Sequence, residues 1–314
     1  MPPFVPMEFN PNKRRGGARA EKRLDFVLDT SHQTRRALSA RTLPLDKPII
    51  FLYHKTNTPT RGEKRGFCMR LTFLGTSHGR TEKNAFCSST MISVGEKHYL
   101  IDAGAPITTL LQNVGVPFPS VAGIFITHSH GDHIAGLVEY TREMECFPAN
   151  AGVRTNVYVP EEKTYLRMSY FLFGKEELHQ HRVIFHTYAA GVVFDDGVLR
   201  LTAIPNNHMP NSYSFLVEAE GKRVIFTGDL AAGMPDYPKV ALEAPSDVVI
   251  CEAAHTRLNQ PETEKILQQT KTARFVVHHR SPQCNPDEAI DAFTRDMAPH
   301  FPVLLAHDGM ILDV

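Results

Sequence analysis

The chain has 314 residues, of which 34 are basic and 34 acidic, so it carries no formal net charge at neutral pH. This length is enough for one large α/β domain or two small ones with a substantial core. No apolar run approaches the length of a membrane span, and the N-terminus lacks the apolar core of a secretory signal. We therefore expect a cytoplasmic protein without a membrane segment.

Residues 1–68 differ in composition from the rest of the chain. They hold 14 Lys and Arg against 6 Asp and Glu, whereas the remaining residues hold 20 against 28. Apart from the short stretch PIIFLYH they show no sustained periodicity, which predicts a disordered basic extension. The alternative is a misplaced start, because Met69 opens the stretch MRLTFLGT, which is typical of the beginning of a domain.

The acidic body over residues 69–314 bears on the choice of partners. A large nucleic-acid footprint needs many Lys and Arg side chains that displace counterions from phosphates. The body has the opposite charge balance, so it disfavours a structured RNA. The five cysteines are odd in number and form no CxxC pair, which argues against a disulfide framework or a thiolate zinc site.

Beyond residue 69, apolar stretches separated by turn residues predict a mixture of strands and helices. LTFLG predicts a strand and TMISVGEKHYLIDAG a hairpin, followed by a helix over residues 106–115, the strand AGIFIT and the amphipathic helix IAGLVEYTREME. Further strands are predicted at TNVYVP, VIFHTY, VLRLTAIP, YSFLVEA, KRVIFTG, DVVICEA, RFVVHH and VLLAHD, with helices over 260–270 and 287–297. This order indicates an α+β fold in which two mixed sheets pack together with helices outside.

A cluster of potential metal ligands, 127-THSHGDHIAG-136, follows the predicted strand AGIFIT. Its side chains are His128, His130, Asp132 and His133. With 16 histidines in 314 residues, this spacing should arise by chance only roughly 0.002 times in such a chain. Neutral imidazoles suit zinc and similar divalent ions, and the carboxylate adds negative charge. The cluster therefore predicts a metal site that divides between two ions about 3.5–4 Å apart.

At this cluster the sequence resembles the metallo-β-lactamase-fold hydrolases, whose hallmark is HxHxDH with dispersed partners downstream. The resemblance extends over residues 69–314 and implies a four-layer αββα sandwich of two mixed β-sheets flanked by helices. The stretch FLGTSHGRTEKNAFCSSTMISVGEKHYLIDAG is similar to the opening of the ribonuclease Z-like and phosphodiesterase branch. The resemblance implies that Asp102 supports the histidine loop, against the alternative of a simple turn aspartate.

The next two motifs of the family match His208, in PNNHMPNSYSFLVE, and Asp229, in VIFTGDL. In the family the aspartate bridges both ions. A carboxylate rather than a cysteine at this position differs from the true β-lactamases and favours phosphodiesterase, thioesterase or lactonase chemistry.

The fifth motif is a histidine after a late strand, and the stretch RFVVHHRSP aligns His279 with it. His278 and His307 are the alternatives, because His278 precedes it directly and the ending LAHDGMILDV resembles the closing strand of the family. The first ion would then bind His128, His130, His208 and Asp229, and the second would bind Asp132, His133, His279 and Asp229.

Two further histidines are candidates for the pocket. His255, in ICEAAHTRL, matches a neighbourhood where similar proteins place a phosphate contact or a proton donor, and an imidazole has a suitable pKa for protonating a departing alkoxide. The alternative is a residue at the start of a helix. We group it with Asp102 and Asp132 as the candidate catalytic residues. His78, in the glycine-rich turn, is a weaker candidate for lining the pocket.

Together these motifs predict a dinuclear metal-dependent hydrolase that attacks a small or cyclic phosphodiester, or a short nucleotide, with hydroxide generated at the two ions. The alternatives are a thioester, ester or lactone hydrolase and a non-catalytic adaptor that binds metal or ligand. Zinc is the first choice of metal, with manganese and iron as alternatives. The resemblance is consistent with a homodimer.

Overall fold

The computed structural model describes residues 69–150, 152–174 and 182–314. The predicted basic extension over residues 1–68 lies outside the described residues. The alternative, a misplaced start before Met69, concerns the same residues and stays a prediction. None of the helices in the described part of the chain is long and apolar enough to cross a membrane.

Fourteen strands are found in the described ranges and are numbered here in chain order. They are β1 (Arg70–Gly75), β2 (Ser89–Val94), β3 (Lys97–Ile101), β4 (Val121–Phe125), β5 (Thr155–Val159), β6 (Val183–Thr187), β7 (Gly191–Asp195), β8 (Arg200–Pro205), β9 (Tyr213–Ala219), β10 (Lys222–Phe226), β11 (Ser246–Ala253), β12 (Thr272–Arg280), β13 (Val303–Leu305) and β14 (Ile311–Asp313).

Seven α-helices connect them over the same ranges. They are α1 (Ile107–Asn113), α2 (Gly131–Ile134), α3 (Gly136–Cys146), α4 (Glu162–Phe173), α5 (Val240–Glu243), α6 (Pro261–Leu267) and α7 (Asp287–Met297). Two single-turn 3₁₀ helices lie at Phe118–Ser120 and Pro148–Asn150.

The strands form two seven-stranded mixed sheets of similar design. The first sheet has the order β14-β1-β2-β3-β4-β5-β6, and the second has the order β13-β12-β11-β10-β9-β8-β7. In the first, β1 to β3 are antiparallel and β3 to β6 are parallel. In the second, β7 to β10 are antiparallel and β10 to β13 are parallel.

A buried apolar layer between the two sheets joins them. It contains Phe73 of β1 and Ile92 of β2 from the first sheet, and Phe215 of β9 and Val276 of β12 from the second. Each of these side chains is fully buried. Burial of apolar surface contributes roughly 25 cal/mol per Å², so this inner layer supplies much of the stability that holds the sheets together.

The helices cover the outer face of each sheet. Leu111 of α1 and Tyr140 of α3 pack in a cluster with Ile124 of the first sheet, and Phe293 of α7 packs with Phe275 of the second. Successive side chains of a strand point to opposite faces of the sheet, so one strand contacts both the inner layer and the helices. Ile250 of β11 faces the inner layer, whereas its neighbours Val249 and Cys251 face the helices. The predicted four-layer αββα sandwich is therefore confirmed.

Most predicted elements coincide with observed ones, but the helices α4, α2 and α5 and the strand β7 are not among the predicted elements. Aromatic side chains at Tyr165, Tyr170, Phe171 and Phe173 give the α4 sequence a mixed helix and strand character, because aromatic residues favour strands. In β7 the edge position leaves Val192 and its neighbours partly exposed, so the strand lacks a clear buried face.

The close approach of α3 to the end of β3 depends on Gly136. A Cβ atom at this position would lie 2.6 Å from the Ala103 carbonyl oxygen and 2.8 Å from that of Gly104. The Gly136 backbone N–H also donates to the Ala103 carbonyl at 2.9 Å. Only a residue without a Cβ atom allows this packing, which brings the ligand cluster before α3 close to Asp102.

We expect Gly136→Ala to lower the free energy of unfolding by about 1–3 kcal/mol, because the added methyl group overpacks a rigid backbone contact. Thermal unfolding followed by circular dichroism would measure the change. The matched control is Gly131→Ala in α2, where an added Cβ atom would meet nothing within 4 Å. Equal stability of both variants would contradict the role assigned to the close approach.

Candidate metal centre

The site forms where several parallel strands end at one edge of the sandwich. Asp102 follows β3, His128 follows β4 and Asp229 follows β10, while His279 lies at the end of β12. The carboxyl ends of parallel strands meet at the same edge, and this edge is the usual location of ligand sites in open α/β sheets. His130 precedes α2, which carries Asp132 and His133.

The first group of side chains that fits a metal ion consists of His128, His130, His208 and Asp229. His130 Nδ1 lies 3.0 Å from His128 Nε2 and 3.1 Å from His208 Nε2. Asp229 Oδ2 lies 3.6 Å from His128 Nε2 and 3.7 Å from His208 Nε2. In a tetrahedral zinc site with Zn–N distances of ~2.1 Å, ligand nitrogens lie roughly 3.4 Å apart. The spacing of the group is therefore close to that of a metal site.

The second group consists of Asp132, His133 and His279, next to the first. Asp132 Oδ2 lies 3.4 Å from His133 Nε2 and 3.5 Å from His279 Nε2. His133 and His279 are almost completely buried, whereas His130 of the first group is exposed. The second group is thus enclosed, whereas the first reaches the opening of the site through His130.

Asp229 contacts both groups through different oxygen atoms. Its Oδ2 faces the first group, and its Oδ1 lies 3.4 Å from both His133 Nε2 and His279 Nε2. The side chain is buried. Asp229 would therefore be able to offer one oxygen to an ion in each group.

Unpaired polar atoms test whether the site fits metal ions. Among the described residues, His133 Nε2 and Asp229 Oδ1 are buried without a hydrogen-bond partner. A buried polar atom without a partner is costly, and natural proteins seldom leave one unless an ion or water completes it. Both atoms point into the space between the ligand groups, so the residues present fit divalent ions.

The electrostatics of the site agree with this fit. Burial disfavours ionised Asp229, but the neighbouring His279 and His133 hold the pKa of its carboxyl well below the usual range. Burial disfavours protonated His133, yet the carboxylates of Asp229 and Asp102 raise its pKa well above the ordinary value. Burial lowers the pKa of His128 to about 2. The enclosed carboxylates therefore need positive charge nearby, which divalent cations would supply.

Asp102 lies behind the ligands and contacts His133 directly. His133 Nδ1 lies 2.7 Å from Asp102 Oδ2, and the Thr127 backbone N–H donates to Asp102 Oδ1 at 2.7 Å. This contact directs His133 Nε2 toward the ligand group, as outer-shell carboxylates do in metal sites. Asp102 is buried and touches a ligand rather than the open mouth, so its place is that of a positioning residue.

Asp102 and His279 share an unusual backbone conformation. Their φ angles are +60° and +49°, in the left-handed region that side chains other than glycine seldom adopt. Such a conformation costs on the order of 1–3 kcal/mol and persists only where the surroundings enforce it. Both strained residues lie in the site, where they turn strand ends toward the ligand group.

His255 lies over the first group of ligands. Its ring centre is 4.6 Å from that of His208, and its Nδ1 is 3.8 Å from Asp229 Oδ2. The carboxylate of Glu252, 3.5 Å from the same nitrogen, raises the pKa of the ring. About a third of the side chain is exposed. His255 thus faces both the ligands and the opening of the site.

The other candidate histidines lie outside the ligand groups. His278 Nε2 lies 3.2 Å from the Gly75 carbonyl oxygen, and its ring packs against Phe73 within the sandwich. His307 is exposed, with its Nδ1 3.1 Å from the Asp308 carbonyl oxygen. Of the three histidines considered for the fifth motif, only His279 meets Asp132 and Asp229.

The glycine-rich turn reaches the site through its backbone rather than through His78. The His78 ring lies 3.3 Å from Glu82, whereas the Gly79 N–H donates to Asp132 Oδ2 at 2.9 Å. The carboxylate of Asp308 holds the base of this turn by accepting the N–H groups of Thr76 and Phe86. No side-chain pattern predicts a contact made by a backbone N–H.

Glu252 is a site residue that the motifs do not single out. It is buried and accepts hydrogen bonds from the backbone N–H groups of Leu230, Ala254 and His255. The sequence feature that could have indicated it is a carboxylate at the end of the predicted apolar strand DVVICEA. This carboxylate fixes the segment that carries His255.

Comparisons with known proteins agree with the fold. The chain is 29% identical over 179 residues to ribonuclease Z of Crocosphaera subtropica. This alignment covers 54% of this chain and 55% of that relative. The chain thus spans about half the length of this relative.

Two solved structures share the architecture. The metallo-β-lactamase fold protein YhfI from Bacillus subtilis superposes with a TM-score of 0.64 at 16% identity, over 79% of this chain and 100% of that one. The short form of human tRNase Z superposes with a TM-score of 0.58 at 21% identity, over 78% and 98%. At these identities the likeness shows the fold.

The two-sheet sandwich with histidine–aspartate groups at its edge has the architecture of the metallo-β-lactamase fold, which both solved structures share. Within this class, residues 69–288 match the family described as anti-Pycsar protein Apyc1, and the chain belongs to that family.

We expect Asp102→Asn to weaken zinc binding by about 10- to 100-fold, because the amide no longer supplies the charge that orients His133. Competition with a chromophoric chelator would measure the affinity. Asp196→Asn is the matched control, since that carboxylate accepts the Tyr99 hydroxyl at 2.7 Å and also meets Lys97, at the opposite end of β3. Unchanged zinc affinity in Asp102→Asn would contradict the positioning role.

Proposed function

We propose that the protein is a dinuclear metal-dependent hydrolase that cleaves a small or cyclic phosphodiester, or a short nucleotide. The observation that carries this proposal is the pair of adjoining ligand groups that share the buried carboxylate of Asp229. Two ions so placed are typical of enzymes that hydrolyse phosphate esters and other polar bonds.

The first ion would be held by His128, His130, His208 and Asp229. The second would be held by Asp132, His133, His279 and Asp229. When bound, divalent ions would lower the pKa of water and neutralise charge on a phosphodiester. Imidazole and carboxylate ligands suit zinc first and accept manganese or iron, and the affinity order of these metals does not decide which one binds in a cell.

The side chains around the ions would divide the remaining work. Asp102 holds His133 in one orientation, and the Gly79 N–H holds Asp132. His255 stands at the opening, where it would give a proton to the departing alkoxide oxygen. Glu252 favours the protonated ring of His255 through its nearby negative charge.

The segment between His208 and Asp229 supports a small substrate. These ligands are separated by 20 residues, most of which form the β9–β10 hairpin with Glu220 and Gly221 at its turn. The resemblance to ribonuclease Z implies that bacterial forms of that enzyme carry their RNA-binding arm in this interval. The short hairpin leaves that interval without an added arm, and the excess of acidic residues over residues 69–314 disfavours a large phosphate-binding surface.

An RNA substrate is the second candidate. It is favoured by the relative from Crocosphaera subtropica, which is named ribonuclease Z. A homodimer and a cytoplasmic location remain predictions from the sequence.

A substrate panel tests the proposal with the zinc-loaded full chain. We expect turnover of a cyclic nucleotide, a dinucleotide or bis(p-nitrophenyl) phosphate, measured by product chromatography or absorbance, in preference to a thioester, a lactone or precursor tRNA. Asp132→Ala and Asp229→Ala should each lower turnover by more than roughly a hundredfold, because loss of a direct ligand exceeds the effect of an outer partner. Asp291→Ala, at an exposed position of α7, is the control.

The outcomes of the panel separate the candidates. Preferential cleavage of precursor tRNA would replace the small substrate by the second candidate. Turnover of the thioester or lactone alone would overturn the phosphodiester assignment, and full activity in both ligand variants would overturn the two-ion site.

A second experiment tests the proton donor. We expect His255→Gln to slow hydrolysis of a cyclic nucleotide by roughly 10²- to 10⁴-fold, because an alkoxide needs a proton as it departs. Hydrolysis of bis(p-nitrophenyl) phosphate should change little, since p-nitrophenolate departs without one. His307→Gln, at an exposed position outside the ligand groups, is the matched control. An equal loss on both substrates would assign His255 to binding instead.

A further inference from the structure

We infer that Asp236 is a positioning residue that fixes the spacing between the metal ligands His208 and Asp229. The inference rests on the proposed metal centre and assigns a role to a carboxylate that lies outside the two ligand groups. His208 and Asp229 are supplied by different loops, one between β8 and β9 and the other after β10. Asp236 lies on the second loop, seven residues after Asp229, and its carboxylate accepts a backbone N–H from each loop.

The first contact is with the loop that carries His208. The backbone N–H of Asn207 donates to Asp236 Oδ2 at 2.6 Å. Asn207 directly precedes His208, so this bond fixes the peptide from which the ligand side chain extends. Hydrogen bonds from a backbone N–H to an ionised carboxylate are among the stronger ones in proteins.

The second contact is with the loop that carries Asp229. The backbone N–H of Ala231, two residues after Asp229, lies 3.2 Å from both carboxylate oxygens of Asp236. One carboxylate therefore receives an N–H group from each ligand loop. Movement of either loop away from the other would break one of these bonds.

Asp236 belongs to the segment from Leu230 to Tyr237, and hydrogen bonds within that segment hold it in place. The Met234 N–H donates to the Ala231 carbonyl at 2.9 Å, and the Tyr237 N–H donates to the Met234 carbonyl at 3.1 Å. Met234 is buried and has a φ angle of +54°, a conformation that only a well-packed turn maintains. The Tyr237 hydroxyl is anchored 3.0 Å from Thr270 Oγ1.

The same segment also reaches the strand end that carries His255. The Gly233 N–H donates to Thr256 Oγ1 at 3.0 Å. His208 and His255 have their ring centres 4.6 Å apart. One short segment thus contacts the backbone next to His208 and near Asp229, and the side chain of the residue after His255.

A further bond braces the two ligand loops on the strand side. Asn206 Nδ2 donates to the Thr227 carbonyl at 3.3 Å. The carboxylate of Asp236 supplies a second link between the same loops, through the N–H groups of Asn207 and Ala231. Functional side chains need positions within roughly 0.5 Å of the productive geometry, so a second brace has a direct effect on metal binding.

The test measures metal affinity of the full chain without any substrate. Metal-free protein is titrated with Co²⁺, whose visible absorption reports each ion as it binds, and zinc competition gives the affinities. We expect Asp236→Ala to lower the affinity for the ion at the first group, which contains His208, by about 10- to 100-fold. The affinity for the ion at the second group should fall less. Asp236→Asn keeps one acceptor oxygen and the shape, so its affinity should lie between wild type and Asp236→Ala.

Two variants make the comparison specific. Asp247→Ala removes a carboxylate that also accepts a backbone N–H, from Arg223 at 2.9 Å, and contacts Lys222 at the opposite end of β10. Thr256→Val removes only the acceptor for Gly233 and keeps the size of the side chain. Both should bind the two ions with wild-type affinity. Thermal unfolding in chelator checks that all variants are folded.

Wild-type affinity in folded Asp236→Ala would overturn the inference, and so would an equal loss in Asp247→Ala or Thr256→Val. A wild-type chain that binds no ions would instead overturn the metal centre on which the proposed function depends. Should Asp236→Ala fail to fold, Asp236→Asn carries the test, and wild-type affinity in that variant would overturn the inference equally.

Discussion

A single carboxylate enclosed between two sets of imidazoles is the constraint on which the site depends. Asp229 is buried, and its two oxygens face different ligand groups. An anion in this environment requires positive charge close by, because burial of an uncompensated charge is costly. The strand ends and loops around it direct five imidazoles and a second carboxylate to the same point, so the groups present attract a cation from outside. Packing between the sheets brings these groups together, and divalent ions would balance their charge.

The strongest sequence signals concerned groups whose chemistry depends on side-chain identity. The spacing of His128, His130, Asp132 and His133, together with apolar strands of regular length, was enough to predict the sandwich and the ligand cluster. Residues that act through backbone N–H groups were not predictable in this way. Gly79, which meets Asp132 through its amide, carries no side-chain signature. The same holds for a carboxylate such as Asp236, whose role depends on which loops the fold brings beside it.

The choice among the late histidines shows what a structure adds to a motif. His278 and His279 are neighbours in sequence, and both are buried at the end of β12. A regular strand would send adjacent side chains to opposite faces. His278 turns into the sandwich beneath Gly75, while the left-handed backbone of His279 directs its ring to Asp132 and Asp229. The two neighbouring imidazoles therefore lie in different surroundings, and only that of His279 meets the carboxylates of the site.

The pairing of β1 with β14 has a consequence for synthesis. The Val314 N–H donates to the Met69 carbonyl, and Arg70 is paired with Asp313, so the first and last strands of the described residues are neighbours in one sheet. One edge of β1 stays open until the ribosome has made residue 313. At about 5–20 residues per second, this interval is on the order of ten seconds or more. During this time the nascent chain presents an unpaired edge that other strands can join, so elongation speed and chaperone access bear on its yield.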